Sequence, residues 1–160
     1  MMSVVDIIYE QYEQDVMKAH EQNFILWPRQ WKAYVDTHNW QTYRLEENEK
    51  DRIPKQSGVY SLLIQPGIAN HPACSYLMYV GKTKSLQHRF MDYLNERKSE
   101  TGRPKIHRFL NKYQDYVYFC CTTVCIDNLK NVEEKLINAY IPPANDQYPV
   151  EIRRIIGAFK

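Results

Sequence analysis

The sequence has no apolar run approaching the ~20 residues that a membrane-spanning helix needs. It also has no cationic leader: "MMSVVDIIYEQYEQDV" carries acids where a signal peptide carries lysine or arginine. These two absences lead to the expectation of an intracellular, cytoplasmic protein. Cysteine is scarce, with four in 160 residues. Three of them, Cys120, Cys121 and Cys125, fall in the apolar stretch "YVYFCCTTVCI", and only Cys74 stands apart. Adjacent cysteines make a poor disulfide framework, and the spacing fits no zinc pattern, so buried thiols on a strand are expected. There is no internal repeat and no low-complexity tract. The chain is long enough to bury a core without disulfide or metal staples, and its length suits one domain or a domain with an added segment.

Net charge is also small, at +2, but its distribution is uneven. Residues 1–51 hold ten acids and five bases, whereas 82–112 hold nine bases and three acids. The bases are Lys82, Lys84, Arg89, Arg97, Lys98, Arg103, Lys105, Arg108 and Lys112. Such density marks either a solvated face or a polyanion footprint. Thirteen tyrosines are an unusually large supply of aromatic hydroxyls.

Periodicity divides the chain. Val4, Ile8, Tyr12 and Val16 recur every four residues, and Pro28 opens "PRQWKAYVDTH", so residues 1–51 read as an acidic helical extension. "EENEKDRIPKQSG" reads as a linker. From Gly58 the order is strand ("GVYSLLI"), loop, strand ("SYLMYVG"), helix ("SLQHRFMDYLNE", capped by Ser85), helix ("GRPKIHRFLNKY"), strand ("DYVYFCCTTVCI") and helix ("NVEEKLINAY"). The first two strands make a hairpin with a long connection. The third is apolar on both faces and is therefore expected at the centre of the sheet. The expected fold is α+β: a small three-stranded mixed or antiparallel sheet flanked by helices, over residues 52–148, followed by a short basic tail, 149–160.

Two charged residues sit where packing alone would not put them. On a wheel of about 100° per residue, Glu133 falls inside the arc of Val132, Leu136, Ile137 and Tyr140, and Glu134 falls outside. An inward carboxylate costs several kcal/mol unless a cation, a metal or strong donors meet it. A structural salt bridge or an edge position snorkelling to water would also satisfy it. Arg89 borders the stripe of Leu86, Phe90 and Leu94 and projects with Tyr93, its i+4 neighbour. Such an arginine can be a stem over apolar surface, the partner of Glu133, or a phosphate clamp. Tyr60 and Tyr79 lie on the paired strands, able to share a face as ordinary core tyrosines. Lys82 follows Gly81, where the chain can turn freely, and could favour a nearby phenolate.

Taken together, "GVY" (Gly58–Tyr60), "YVG" (Tyr79–Gly81), "KTKSLQHRF" and "EEKLINAYIPPAN" resemble, in order and spacing, the motifs of the GIY-YIG nucleases. The nearest spacing is that of the UvrC-type branch, and the resemblance covers about residues 53–147. It implies a DNA endonuclease using one divalent ion, Mg²⁺ or Mn²⁺, with Glu133 as its sole direct protein ligand. It places Arg89 on the phosphate, Tyr60 as general base with Tyr79 as competitor or helper, and Lys82 and Tyr93 beside them. Gly58, Gly81 and Asn145 support the site, Asn145 by fixing the glutamate helix and its turn. Lys84, Arg97, Lys98, Arg103, Lys105, Arg108 and Lys112 would grip the backbone of DNA, in preference to RNA. His88 and His107 are read as solvated helix histidines. The alternative is a non-catalytic nucleic-acid-binding or interaction module that keeps this fold.

Overall fold

The structure is a computed structural model, and it describes residues 28–34, 37–66, 75–98, 103–148, 150 and 153–154. The helix expected over 4–20, the long hairpin connection and most of the C-terminal tail lie outside them. After a short helix α1 (Pro28–Ala33) come strand β1 (Gln41–Arg44) and a 3₁₀ segment (Glu47–Arg52). The hairpin β2 (Gly58–Ile64) and β3 (Tyr76–Thr83) follows, then helices α2 (Leu86–Lys98) and α3 (Pro104–Lys112). Strand β4 (Val117–Thr123) and helix α4 (Leu129–Tyr140) complete it. Among the described residues no helix is long and apolar enough to cross a membrane.

The fold is α+β, with one sheet, antiparallel throughout, in the order β1-β4-β2-β3. It has four strands rather than the three expected. The additional strand, β1, comes from a stretch that composition marks as helical extension. "QTYR" buries only Tyr43 and lies on the sheet edge, so it carries little of the alternation that announces a strand. Strand β4 is central, as its apolar character on both faces requires.

Each face of the sheet supports its own core. Tyr60, Leu62 and Ile64 of β2 pack with Phe119 and Cys121 of β4 under Leu86, Phe90, Tyr93 and Leu94 of α2 and Ile106, Phe109 and Leu110 of α3. Val59 and Val80 point the other way, onto Val132, Leu136 and Ile137 of α4. Residue-by-residue alternation along β2 and β3 therefore decides which side of the sheet each candidate site residue occupies. The thiol of Cys121 is buried and pushed up to about 12, mainly by desolvation. Cys120, Cys121 and Cys125 are all free.

Three local devices fix the elements around the site. Backbone carbonyls of Pro54 and Gln56, just ahead of "GVY", accept from the first-turn amides of Gln87 (2.9 Å) and Leu86 (3.0 Å). Ser85 Oγ accepts from the His88 amide at 3.3 Å, so the expected cap is formed. Helix α4 ends at Ile141, in the left-handed conformation (φ 44°), which costs a β-branched residue roughly 1–3 kcal/mol. The burial of Ile141 and its amide bond to Ile137 O (2.8 Å) hold it there and direct Pro142–Asn145 back to the sheet.

Candidate active site

Strand β3 is an outer strand, and its free edge is closed by the chain beyond α4. Ala144 N donates to Met78 O at 2.9 Å. The buried Asn145 side chain accepts from Val80 N (2.9 Å) and donates to Val80 O (2.8 Å), so one amide serves as a strand partner for Val80. This ties α4, and with it Glu133, to β3.

Gly81 is required for space rather than for turning. It lies within β3, and no glycine among the described residues has positive φ. A Cβ at Gly81 would run into the Tyr60 hydroxyl, lie 2.6 Å from Tyr60 Cζ and 2.9 Å from Tyr79 Cε1. The Tyr60 phenol crosses the strand at the one residue without a side chain. Gly58 is comparable: a Cβ there would meet the Thr122 carbonyl and approach Leu86 Cδ1 to 2.6 Å.

Tyr60, Tyr79 and Tyr93 form one aromatic group. Ring centroids lie 6.2 Å apart for Tyr60–Tyr79 and 5.8 Å for Tyr60–Tyr93, and Tyr60 stacks on Phe119 at 5.0 Å. The Tyr60 and Tyr93 hydroxyls are hydrogen-bonded at 2.9 Å, and both residues are buried. Burial pushes the Tyr60 pKa well above the usual tyrosine value; Tyr93 and Tyr79 act in the same sense and Arg89 opposes them. Tyr93 is pushed up to about 12, again by burial, with Arg103 pulling the other way. Burial therefore disfavours the ionised form of Tyr60 that a general base at this position would use. Lys82 does not assist it, because its ammonium is bound to Glu133 on the opposite face of β3.

Glu133 points inward as the wheel requires: its side chain is 15% exposed, that of Glu134 50%. Lys82 Nζ donates to Glu133 Oε2. Both residues line a cavity of about 510 Å³ at the β3 edge, which Tyr79 and Arg103 enter from the other face. Asn145 and Tyr148 close it toward the C-terminus. Arg89 is not part of this lining. It stands on α2, with Nη1 3.4 Å from Asp92, and its Nε is buried without a hydrogen-bond partner among the described residues.

The basic stretch does not form one uniform surface. Arg97 is structural, donating to Leu45 O (3.1 Å) and Gln114 O (3.3 Å). Lys98 pairs with Glu47 at 3.7 Å. Lys84 and Lys112 are exposed, and Lys105 and Arg108 lie on α3 with side chains outside the described set. His88 is exposed, 3.5 Å from Asp92, and His107 is bonded to Asn111 (3.0 Å). Arg103 donates to the Tyr79 hydroxyl, at 3.3 Å. Three contributors carry no motif signal: Asp92 on Arg89, Glu96 on Arg103 and Tyr148 in the cavity wall. Of these only Asp92 is legible in retrospect, as the i+3 helical neighbour of Arg89.

No protein-family model matches the chain, and no curated protein sequence matches it. Among solved structures it is similar to the GIY-YIG N-terminal endonuclease domain of UvrC from Thermotoga maritima bound to magnesium, its catalytic divalent cation. Identity there is 22%, over 61% of this chain and 92% of that one, with a TM-score of 0.43. A tyrosine-to-phenylalanine mutant of that domain, bound to the catalytic divalent cation, matches at 21% identity over 64% and 99%, also with a TM-score of 0.43. The chain is GIY-YIG-nuclease-like in motif order.

Proposed function

We propose that the protein is a divalent-metal-dependent endonuclease that hydrolyses phosphodiester bonds in DNA. The observation that carries this reading is Glu133: a largely buried carboxylate whose partner among the described residues is a lysine ammonium, facing a solvent-sized cavity beside a tyrosine hydroxyl. Among the described residues no group of three or more His, Cys, Asp or Glu could hold a metal ion, so a multidentate protein cage is not available there. One hard carboxylate oxygen with room for water suits a hydrated Mg²⁺ or Mn²⁺. Glu133 would hold that ion, which when bound supplies charge neutralisation at the phosphate and a more acidic water.

The other residues have separable tasks. Arg89, whose Nη1 lies 3.4 Å from the half-exposed Asp92, would turn its guanidinium to a phosphate oxygen and stabilise charge on the pentavalent phosphorus. Of Tyr60, Tyr79 and Tyr93, Tyr79 is the one that lines the cavity, and it would contact the attacking water or the phosphate. Tyr60 and Tyr93 stay protonated and hold the wall behind it. Lys82, once Glu133 engages the ion, is free to turn to the phosphate. Lys84, Lys98 and Lys112, with Lys105 and Arg108 of α3, provide salt-sensitive grip on the DNA backbone.

The test is incubation of supercoiled plasmid with Mg²⁺ or Mn²⁺, with and without chelator. Wild type converts plasmid to nicked or linear form, and Glu133→Gln and Arg89→Ala do not, with circular dichroism unchanged. DNA binding without cleavage under every metal would replace this reading with that of a non-catalytic binding module.

A further inference from the structure

Arg103 immediately precedes α3 and is held from three sides. Its backbone amide donates to Glu96 Oε1 (3.0 Å) and its Nη2 to Glu96 Oε2 (3.3 Å). Its guanidinium carbon lies 5.3 Å from the Tyr93 ring centroid and 5.5 Å from that of Tyr79. Nη1 donates to the Tyr79 hydroxyl oxygen at 3.3 Å. Glu96 is itself largely enclosed, its side chain 13% exposed, so its charge is directed at Arg103 rather than dispersed into solvent. The remaining open side of the guanidinium faces the cavity, which it lines with Tyr79, Lys82 and Glu133.

Arginine only donates. In the contact with Arg103 the Tyr79 oxygen must accept, so its own hydrogen is not directed at Arg103. A donor of fixed charge also gains strength if negative charge develops on the oxygen it holds. Lys82, the cation that sequence spacing puts next to Tyr79, lies on the opposite face of β3 and is engaged by Glu133. Among the described residues the cation bonded to the Tyr79 hydroxyl is Arg103.

Resting on the endonuclease reading above, we propose that Arg103 is a positioning residue that Glu96 fixes and that sets the Tyr79 hydroxyl for the phosphodiester. This differs from a general backbone contact, which would alter affinity for DNA and act independently of Tyr79. Misplacing a reacting group by about 1 Å can cost roughly 10²-fold in rate.

The test compares kcat and KM on a labelled duplex for wild type, Arg103→Met, Arg103→Lys, Tyr79→Phe and the Arg103→Met/Tyr79→Phe pair. Arg103→Met is expected to lower kcat roughly 10–100-fold with KM changed less than about threefold, and to cost nothing further in the Tyr79→Phe background. Arg103→Lys keeps the charge but cannot bridge Glu96 and Tyr79, so its kcat is expected to stay low, as in Arg103→Met, with KM near that of wild type. Additive losses, or a change confined to KM, would overturn the proposal. Because Arg103→Met leaves the Glu96 carboxylate without its cation, the Glu96→Gln/Arg103→Met pair, which removes both charges, is measured alongside.

A second arm needs no catalysis. With 3-fluorotyrosine at position 79, Arg103→Met and Glu96→Gln should move the ¹⁹F resonance in the same direction, although Glu96 has no described contact with Tyr79. An unmoved resonance in Glu96→Gln overturns the proposed linkage. Absence of cleavage by wild type overturns the endonuclease reading instead, while the ¹⁹F arm still decides whether Glu96 and Arg103 set Tyr79.

Discussion

Gly81→Ala is the smallest change that strains the site. The added methyl would meet the Tyr60 hydroxyl and come within 2.6 Å of Tyr60 Cζ and 2.9 Å of Tyr79 Cε1, inside any allowed carbon contact. Tyr60 has nowhere to retreat. It is buried, stacked on Phe119 and hydrogen-bonded to Tyr93. Overpacking of this kind costs about 1–3 kcal/mol, and displacing the hydroxyl from Tyr93 adds about 1 kcal/mol. The expected destabilisation is therefore about 2–4 kcal/mol, or roughly 5–15 °C in Tm for a chain of this length. Urea denaturation of wild type and variant measures it. The cause is isolated in a Tyr60→Leu background, where the shorter side chain does not pass over residue 81. There Gly81→Ala should cost at least about 1 kcal/mol less than in wild type. A wild-type-like midpoint for Gly81→Ala, or strict additivity with Tyr60→Leu, would refute the account of why this strand carries glycine.

Two further perturbations probe the frame of the site. Asn145→Ala removes both bonds to Val80 and leaves a buried amide and carbonyl unpaired, so denaturation should show a loss of about 2–4 kcal/mol; a loss below 1 kcal/mol would mean that water replaces the side chain at the β3 edge. Alkaline pH acts through Tyr93. Below pH 10 it is neutral in both folded and unfolded chains; between 10 and about 12 the unfolded chain ionises first while the folded one keeps its proton, so stability falls as pH rises. Two units correspond to about 3 kcal/mol, and the stability difference between wild type and Tyr93→Phe should narrow by that order across this range, whereas a constant difference would show that Tyr93 is not held neutral by the fold.

Much of this arrangement was legible from residue order because it depends on local periodicity. The stripe of Leu86, Phe90 and Leu94, the inward turn of Glu133 against the outward turn of Glu134, and the central place of β4 all follow from spacing within one element. Features that depend on contacts between distant elements were not legible. Strand β1 is too short and polar to announce itself, and only its ladder with β4 defines it. The depth of Tyr60 depends on Phe119, Tyr93 and the missing side chain at Gly81 closing around it. Arg103 read as one cation of a basic run. Its contact with Tyr79 spans 24 positions and requires α2 and α3 to meet beside β3. Charge counting also placed Arg97 on a nucleic-acid face, whereas its Nη1 donates to two backbone carbonyls.

The most direct measurement of the central claim is metal-dependent plasmid cleavage by wild type, Glu133→Gln and Arg89→Ala at matched folded concentration. The account predicts cutting by wild type that requires Mg²⁺ or Mn²⁺ and stops with chelator, and a loss of at least roughly 10²-fold in each variant. Cleavage that survives either substitution, or persists in chelator, would contradict it.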